Sequence, residues 1–314
     1  MINLSYNISL NLKESLKEIE SLRLLILLSN IPPKVELKIR WEAMVTRVFC
    51  SLKLAGNSLA KSQMETILAN PPKKIEPEQK EVLRYKNSLE FISQNWLVSP
   101  QTVTIKTLVT LHDLYRPGKL RSSETALKDS LNYLQVNPEH PVVQSAIGLA
   151  QVTALSPFTN SNGIAARLLA YLLLYKYGYD FRRMLVFEKD WQKEPEVFRE
   201  NLQRAIKNDN LTLFLEYFAQ SVVNQLKELL HLLRTDPWQG KKPTTSTSEL
   251  WNLNDRQKAI LSYLEQPGVN ITNRKVQKLS KVSQITASRD LAKLVKLGLV
   301  FSHGKGRSVY YTNV

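Results

Sequence analysis

Two stretches of this 314-residue chain carry residue types whose order could do chemistry. The first is Ser156-Pro157-Phe158-Thr159-Asn160-Ser161-Asn162-Gly163-Ile164-Ala165-Ala166-Arg167. Its Asn-Gly pair opens a strongly apolar helix running on to Tyr177. A helix N-terminus has backbone N–H groups without intrahelical partners, and glycine and small polar residues before it leave room for an anion. Asn162, Gly163 and Arg167 are the candidates for holding a phosphate or another small anion. The same letters also describe an ordinary loop-to-helix turn. The second stretch is the basic tail. Trp251 to Val314 holds 11 Lys+Arg and 3 Asp+Glu, so +8 of the formal net charge of +15 sits there. Excess positive charge points to a polyanionic partner, nucleic acid before acidic membrane.

Composition excludes several classes. With 43% hydrophobic and 23% charged residues the chain is neither fibrous nor largely disordered, and its length suggests about two domains. The lone Cys50 excludes an intrachain disulfide and a cysteine zinc site, and is expected to serve packing. His112, His140, His231 and His303 lie too far apart for an H-E-x-x-H motif, so no metal site is expected, and His112 reads as structural. The first residues lack a signal-peptide pattern and no apolar run is long enough to span a bilayer. A soluble, cytoplasmic protein without a membrane partner is the expectation.

The elements that must position these residues are almost all helical by apolar spacing. Helices are predicted over 12–29, 35–54, 57–68, 77–95, 104–115, 125–134, 140–155, 163–177, 194–208 and 211–233. Residues 235–249, TDPWQGKKPTTSTSE, have proline, glycine and a Thr/Ser run without apolar periodicity, which reads as a linker. Beyond it, three helices are predicted, opening at Asn254 or Asp255, Thr272 and Ser283, then a strand over 299–302, a glycine-containing turn and a strand over 308–312. No repeat and no Gly-rich P-loop or Rossmann nucleotide loop is found.

Three helices followed by a hairpin is the order of a winged helix-turn-helix. KLSKVSQITASRDLAKLVKLGLV, then GKGRSVYY, resembles bacterial winged-helix regulators across essentially all of residues 254–314. In the third helix Ala287, Leu291, Leu294 and Leu297 share one face and should be core. Gln284, Thr286, Ser288 and Arg289 fall on or near the other side, at the end of a recognition helix that meets base edges in the major groove. Arg274, Lys275, Lys293, Lys305 and Arg307, and Arg289 as an alternative, are candidates for phosphate contacts, which position without specifying. A winged helix used for protein contacts is the competing reading.

The segment Ser156–Arg167 resembles the Fic-family signature H-P-F-x-D/E-G-N-G-R-x-x-R. The resemblance extends over LVTLHDLYRPGKLR (108–121), EHPVVQSAIGLAQVTALSPF (139–158) and residues 177–222. Fic enzymes mostly transfer AMP from ATP to a target hydroxyl. The resemblance implies that Pro157, Phe158, Asn162, Gly163 and Arg167 match the family pattern, while four positions depart from it. Ser156 stands where the family has the histidine general base, and a serine hydroxyl cannot accept that proton near neutral pH. Asn160 stands for the acidic metal ligand. Ser161 replaces a glycine that lets the backbone approach phosphate. Ile164 replaces a phosphate-binding arginine. Ser51-Leu52-Lys53-Leu54-Ala55-Gly56-Asn57 matches the family's inhibitory-helix pattern except that Ala55 takes the place of its Glu. The β-hairpin flap that holds the target peptide in that family is expected to be shortened or absent, because Arg121 is followed at once by Ser122-Ser123-Glu124 and a helix.

These readings combine into a mainly α protein: a Fic-like helical bundle plus a C-terminal winged helix-turn-helix with a small β-hairpin. Residues 1–100 are its N-terminal helical region, 101–234 the Fic-like core and 250–314 the winged helix. The expected function is double-stranded DNA binding by a homodimeric transcriptional regulator whose Fic-like domain has lost AMP transfer and serves dimerisation or sensing of a small anionic ligand. No cofactor is expected, ATP or Mg²⁺ entering only if the Fic-like site still works. The alternative is a Fic-type nucleotidyl or phosphoryl transferase with residual or altered chemistry.

Overall fold

The computed structural model describes residues 5–29, 31, 33–121, 124–136, 139–180, 182–235, 253–264, 269–296, 299–304 and 309–313. The chain divides into two compact units, residues 1–32 with 42–236, and residues 33–41 with 237–314. Residues 236–249 of the expected linker lie outside the described residues.

The described helices are α1 (Leu10–Leu28), α2 (Pro33–Leu54), α3 (Lys61–Ala69), α4 (Pro77–Asn95), α5 (Ile105–Tyr115), α6 (Glu124–Val136), α7 (Pro141–Leu155), α8 (Asn162–Lys176), α9 (Glu188–Lys193), α10 (Pro195–Lys207), α11 (Thr212–Thr235), α12 (Asp255–Leu264), α13 (Asn273–Ser280) and α14 (Gln284–Lys296). Local chemistry sets their starts. Ser9 accepts from the Leu12 N–H, Thr104 from the Thr107 N–H and Thr272 from the Lys275 N–H. Pro77, Pro141 and Pro195 occupy first turns, where no N–H is missed.

In the larger unit α8 is the axis. Every residue from Ile164 to Lys176 is buried, so the helix is enclosed on all sides, with α7, α5 and α4 packed on it. Gly148 of α7 permits the close approach: a Cβ there would lie 3.1 Å from Leu134 Cδ1 and 3.2 Å from Leu173 Cδ1. The α8 axis thus fixes the loop 156–161 that leads into it.

In the smaller unit, Ile260, Leu264, Ile271, Val276, Ala287, Leu291, Leu294, Leu299 and Val300 close a separate core. Ala287, Leu291 and Leu294 line it as their spacing requires; Leu297 is outside the described residues. Strands β1 (Asn270–Ile271), β2 (Val300–His303) and β3 (Tyr310–Asn313) form an antiparallel sheet in the order β1-β3-β2. The helices fall close to where the sequence places them, except that α3 opens at Lys61 rather than at Asn57. Two elements were not expected, β1 and α9, and both are too short to show a period. They are fixed from outside, β1 by pairing with β3 and α9 by Trp191, whose ring packs among Phe187, Phe198 and Phe218.

Candidate functional site

The loop between α7 and α8 is locked by its own residues. Asn162 accepts the Phe158 N–H through Oδ1 at 2.8 Å and donates Nδ2–H to the Phe158 carbonyl at 2.9 Å. Phe158 stacks on His112 with centroids 3.8 Å apart, and His112 donates Nε2–H to the Asn160 carbonyl at 3.0 Å. The backbone bridges to 119–121: Arg121 N–H meets the Pro157 carbonyl and Thr159 N–H the Lys119 carbonyl. His112 is fully buried and acts as a strut, in line with its structural reading. Asn162, read from the sequence as an anion contact, spends its side chain closing the loop.

Ser156 is exposed, in the left-handed region at φ 43°, and donates its hydroxyl to the Thr153 carbonyl at 2.9 Å. Ser161 is also left-handed, at φ 55°, and makes no side-chain cap, so the first turn of α8 opens without one. Ile164 is buried at 2% exposure and belongs to the core. The loop brings no anionic ligand for a divalent cation. Asn160 brings only a neutral carboxamide, whose Oδ1 is buried and makes no hydrogen bond to a described residue. No group of three His, Cys, Asp or Glu residues is placed to hold a metal ion among the described residues.

Arg167 is buried, and Ser51 of α2 holds it: Nε–H to Ser51 Oγ at 2.7 Å and Nη2–H to the Ser51 carbonyl at 2.8 Å. Gly163 lies one turn earlier, where a Cβ would meet Arg167 Nη1 at 3.3 Å. Arg167 and Gly163 line a cavity of about 190 Å³ with Leu54, Thr153, Phe198 and Gln203. Ala55 is exposed at the end of α2. Sequence reasoning missed what lies deeper. Glu188 accepts from the Tyr171 hydroxyl, and its other carboxylate oxygen makes no hydrogen bond to a described residue. Burial pushes its pKa up to about 7, against the attraction of Arg167 and Arg47. Arg47 lies over the Tyr171 ring and pairs with Asp180 at 2.7 Å. Glu188 sits in the short α9 and gave no pattern to find it by.

In the smaller unit, Gln284, Ser288 and Arg289 of α14 are exposed, together with Ile285 at 65%. Thr286 is half-buried and pairs with the Ser283 hydroxyl at 3.0 Å, so it belongs to the helix start. Arg274 and Lys275 of α13 are exposed, the Lys275 ammonium 5.4 Å from the Tyr263 ring centre. Lys278 and Lys281 add exposed cations, and Lys293 is half-buried. Lys305 and Arg307 lie outside the described residues. Asp290 is buried and ties α14 to the start of α12 through Arg256 at 2.9 Å and Gln257 at 2.6 Å.

No family model matches the chain. It is 25% identical over 179 residues to "Protein adenylyltransferase Fic" of Nematostella vectensis, covering 48% of this chain and 41% of that protein. It is 24% identical over 167 residues to the Aedes aegypti protein of the same name, covering 44% and 33%. The match thus spans less than half the length of either relative. Among solved structures, a Fic family protein from Desulfovibrio desulfuricans G20 superposes with TM-score 0.62 at 17% identity, covering 98% of this chain and 97% of that one. Fic-1 from C. elegans gives 0.61 at 20% identity, covering 72% and 73%. The fold is therefore that of Fic proteins. No described helix is long and apolar enough to cross a membrane.

Proposed function

We propose that the chain is a DNA-binding protein, a transcriptional regulator, built on a Fic fold that serves dimerisation or ligand sensing in place of AMP transfer. The carrying observation is the outward face of α14. Gln284, Ser288 and Arg289 stand exposed over a closed core, with the exposed cations Arg274, Lys275, Lys278 and Lys281 in the same unit. In this reading the smaller unit works as a winged helix-turn-helix with α14 as its recognition helix. A homodimer would set two such helices on a two-fold site and raise the effective concentration of the second contact. The Fic-type site supports the loss of transfer: Ser156 offers no base, and Asn160 no anionic ligand for a metal ion. Arg167, with Gly163 and the first turn of α8 beside the cavity, would still take a small anion.

A second reading, a Fic-type nucleotidyl or phosphoryl transferase with altered chemistry, has its own support. Both curated relatives are named adenylyltransferases, and no comparison speaks to DNA. The names favour this second reading; the side chains at 156, 160 and 164 weigh against it.

One pair of assays separates the two. Fragments of the source genome are recovered on the full chain and sequenced, beside the double variant Ser288→Ala, Arg289→Ala. Expected are a few sites sharing a motif, lost in the variant. Radiolabelled ATP and other nucleotides are incubated with the chain and cell protein. Label transferred to protein would establish the second reading, and its absence beside motif enrichment the first.

A further inference from the structure

The most exposed large hydrophobic side chain among the described residues of the smaller unit is Ile285, at 65%, and it sits on the polar face of α14. One exposed aliphatic residue is ordinary on a protein surface. Its neighbours make this one informative. Arg289 lies four residues on, on the same face, Ser288 lies three on, and Gln284 precedes it. All three are exposed hydrogen-bonding side chains, and the apolar face of the same helix, Ala287, Leu291 and Leu294, is already spent on the core.

The helix beneath this face is hydrogen-bonded to α13. Asn273 of α13 donates both Nδ2 hydrogens into α14, to Ser288 Oγ at 2.8 Å and to the Gln284 carbonyl at 3.2 Å. Gln277 in turn donates to Asn273 Oδ1 at 2.6 Å. The chain Gln277–Asn273–Ser288 fixes the helix beside Ile285 from one side, and Asp290 anchors it from the other through Gln257 and Arg256. Isoleucine, β-branched, has few rotamers on a helix, so its methyl groups are presented in a set direction.

Within the major groove only thymine, among unmodified bases, offers an apolar group, its C5-methyl, and it is read by apolar contact. We infer that Ile285 is a specificity-determining residue that packs on a thymine methyl, with Arg289 reading an adjacent step of the same site. Asn273 is then a positioning residue. This rests on the DNA-binding reading above.

The test is selection of duplexes from a random pool by the full chain, followed by replacing each thymine of the selected site by uracil, which removes only the methyl. At one position wild-type affinity should fall about fourfold, the factor that burying one such group is worth. Ile285→Ala should bind the thymine and uracil duplexes equally, with unchanged thermal stability. If a motif is selected but no uracil substitution weakens binding, or Ile285→Ala keeps the methyl preference, this inference falls and the DNA-binding reading stands. If no duplex is retained at any salt concentration, both fall together.

Discussion

Arg167 and Ser51 are joined twice, the guanidinium Nε–H to the Ser51 hydroxyl at 2.7 Å and an Nη2–H to the Ser51 carbonyl at 2.8 Å. The arginine that the signature places for an anion is thus clamped from α2, and its charge is partly satisfied by a buried carbonyl. Hydrogen bonds to a charged group are worth about 1.5–3 kcal/mol. Ser51→Ala removes one donor's partner and leaves the carbonyl bond. It should lower stability by about 1–2 kcal/mol in guanidinium unfolding, and inorganic phosphate should recover more of that loss than it adds to wild type if Arg167 takes anions.

Gly118 sets the position of the His112 strut. A Cβ at Gly118 would lie 2.8 Å from His112 Cε1, and the ring cannot retreat because it is fully buried and stacked on Phe158. Gly118→Ala should therefore cost about 1–3 kcal/mol, the range for overpacking a closed core. Thermal unfolding of the single variant checks this, and an unchanged midpoint would show that the ring has room to move.

Most of the helical frame was legible because a bundle writes itself as apolar periodicity. Ala287, Leu291 and Leu294 share the core as their spacing demanded. The 156–167 loop was legible as a pattern of residue types, but the use of each side chain was not. Asn162 turned inward to the Phe158 backbone, and Thr286 went to the Ser283 hydroxyl, because short polar side chains bond to whatever backbone or neighbour lies within reach. Glu188, Tyr171 and Arg47 converge from α9, α8 and α2, a tertiary fact that no local spacing carries.

Burial gives Glu188 a pH signature. Its ordinary pKa near 4.5 is raised to about 7 in the folded chain. A raised carboxyl stabilises the fold fully below pH 4.5, and that contribution is lost as pH rises through 7. Glu188→Gln is neutral throughout. The variant should match wild type near pH 4.5 and exceed it above pH 7.5 by an amount on the order of 3 kcal/mol. Denaturant titrations at both pH values test it, and an equal difference at both would mean that the carboxyl does not titrate in this range.

In the proposed DNA-binding reading, exposed Arg274 contacts phosphate rather than bases. Arg274→Ala should then weaken binding to all duplexes alike and lower the slope of log affinity against log salt by about 1. Arg289→Ala should instead relax the preference at one base position. Binding titrations at several salt concentrations, on a selected and a scrambled duplex, separate the two effects.

Under the proposed loss of AMP transfer, substituting residues of the Fic signature back in tests whether one position or several is responsible. Ser156 already has the left-handed backbone that histidine tolerates, and it is exposed, so Ser156→His should fold with little change in stability. Ser161→Gly relieves a left-handed serine and should gain about 0.5–1 kcal/mol. Ile164→Arg is different in kind. Ile164 is enclosed in α8 at 2% exposure, and a guanidinium there would enter the core without a partner, at a cost above about 3 kcal/mol. Ser156→His alone, and combined with Ser161→Gly, should therefore give folded protein that still lacks an arginine at position 164. Transfer of label from ATP should stay at background in all of these variants. Label appearing with Ser156→His alone would show that the base was the one missing part and that the rest of the site is still shaped for transfer.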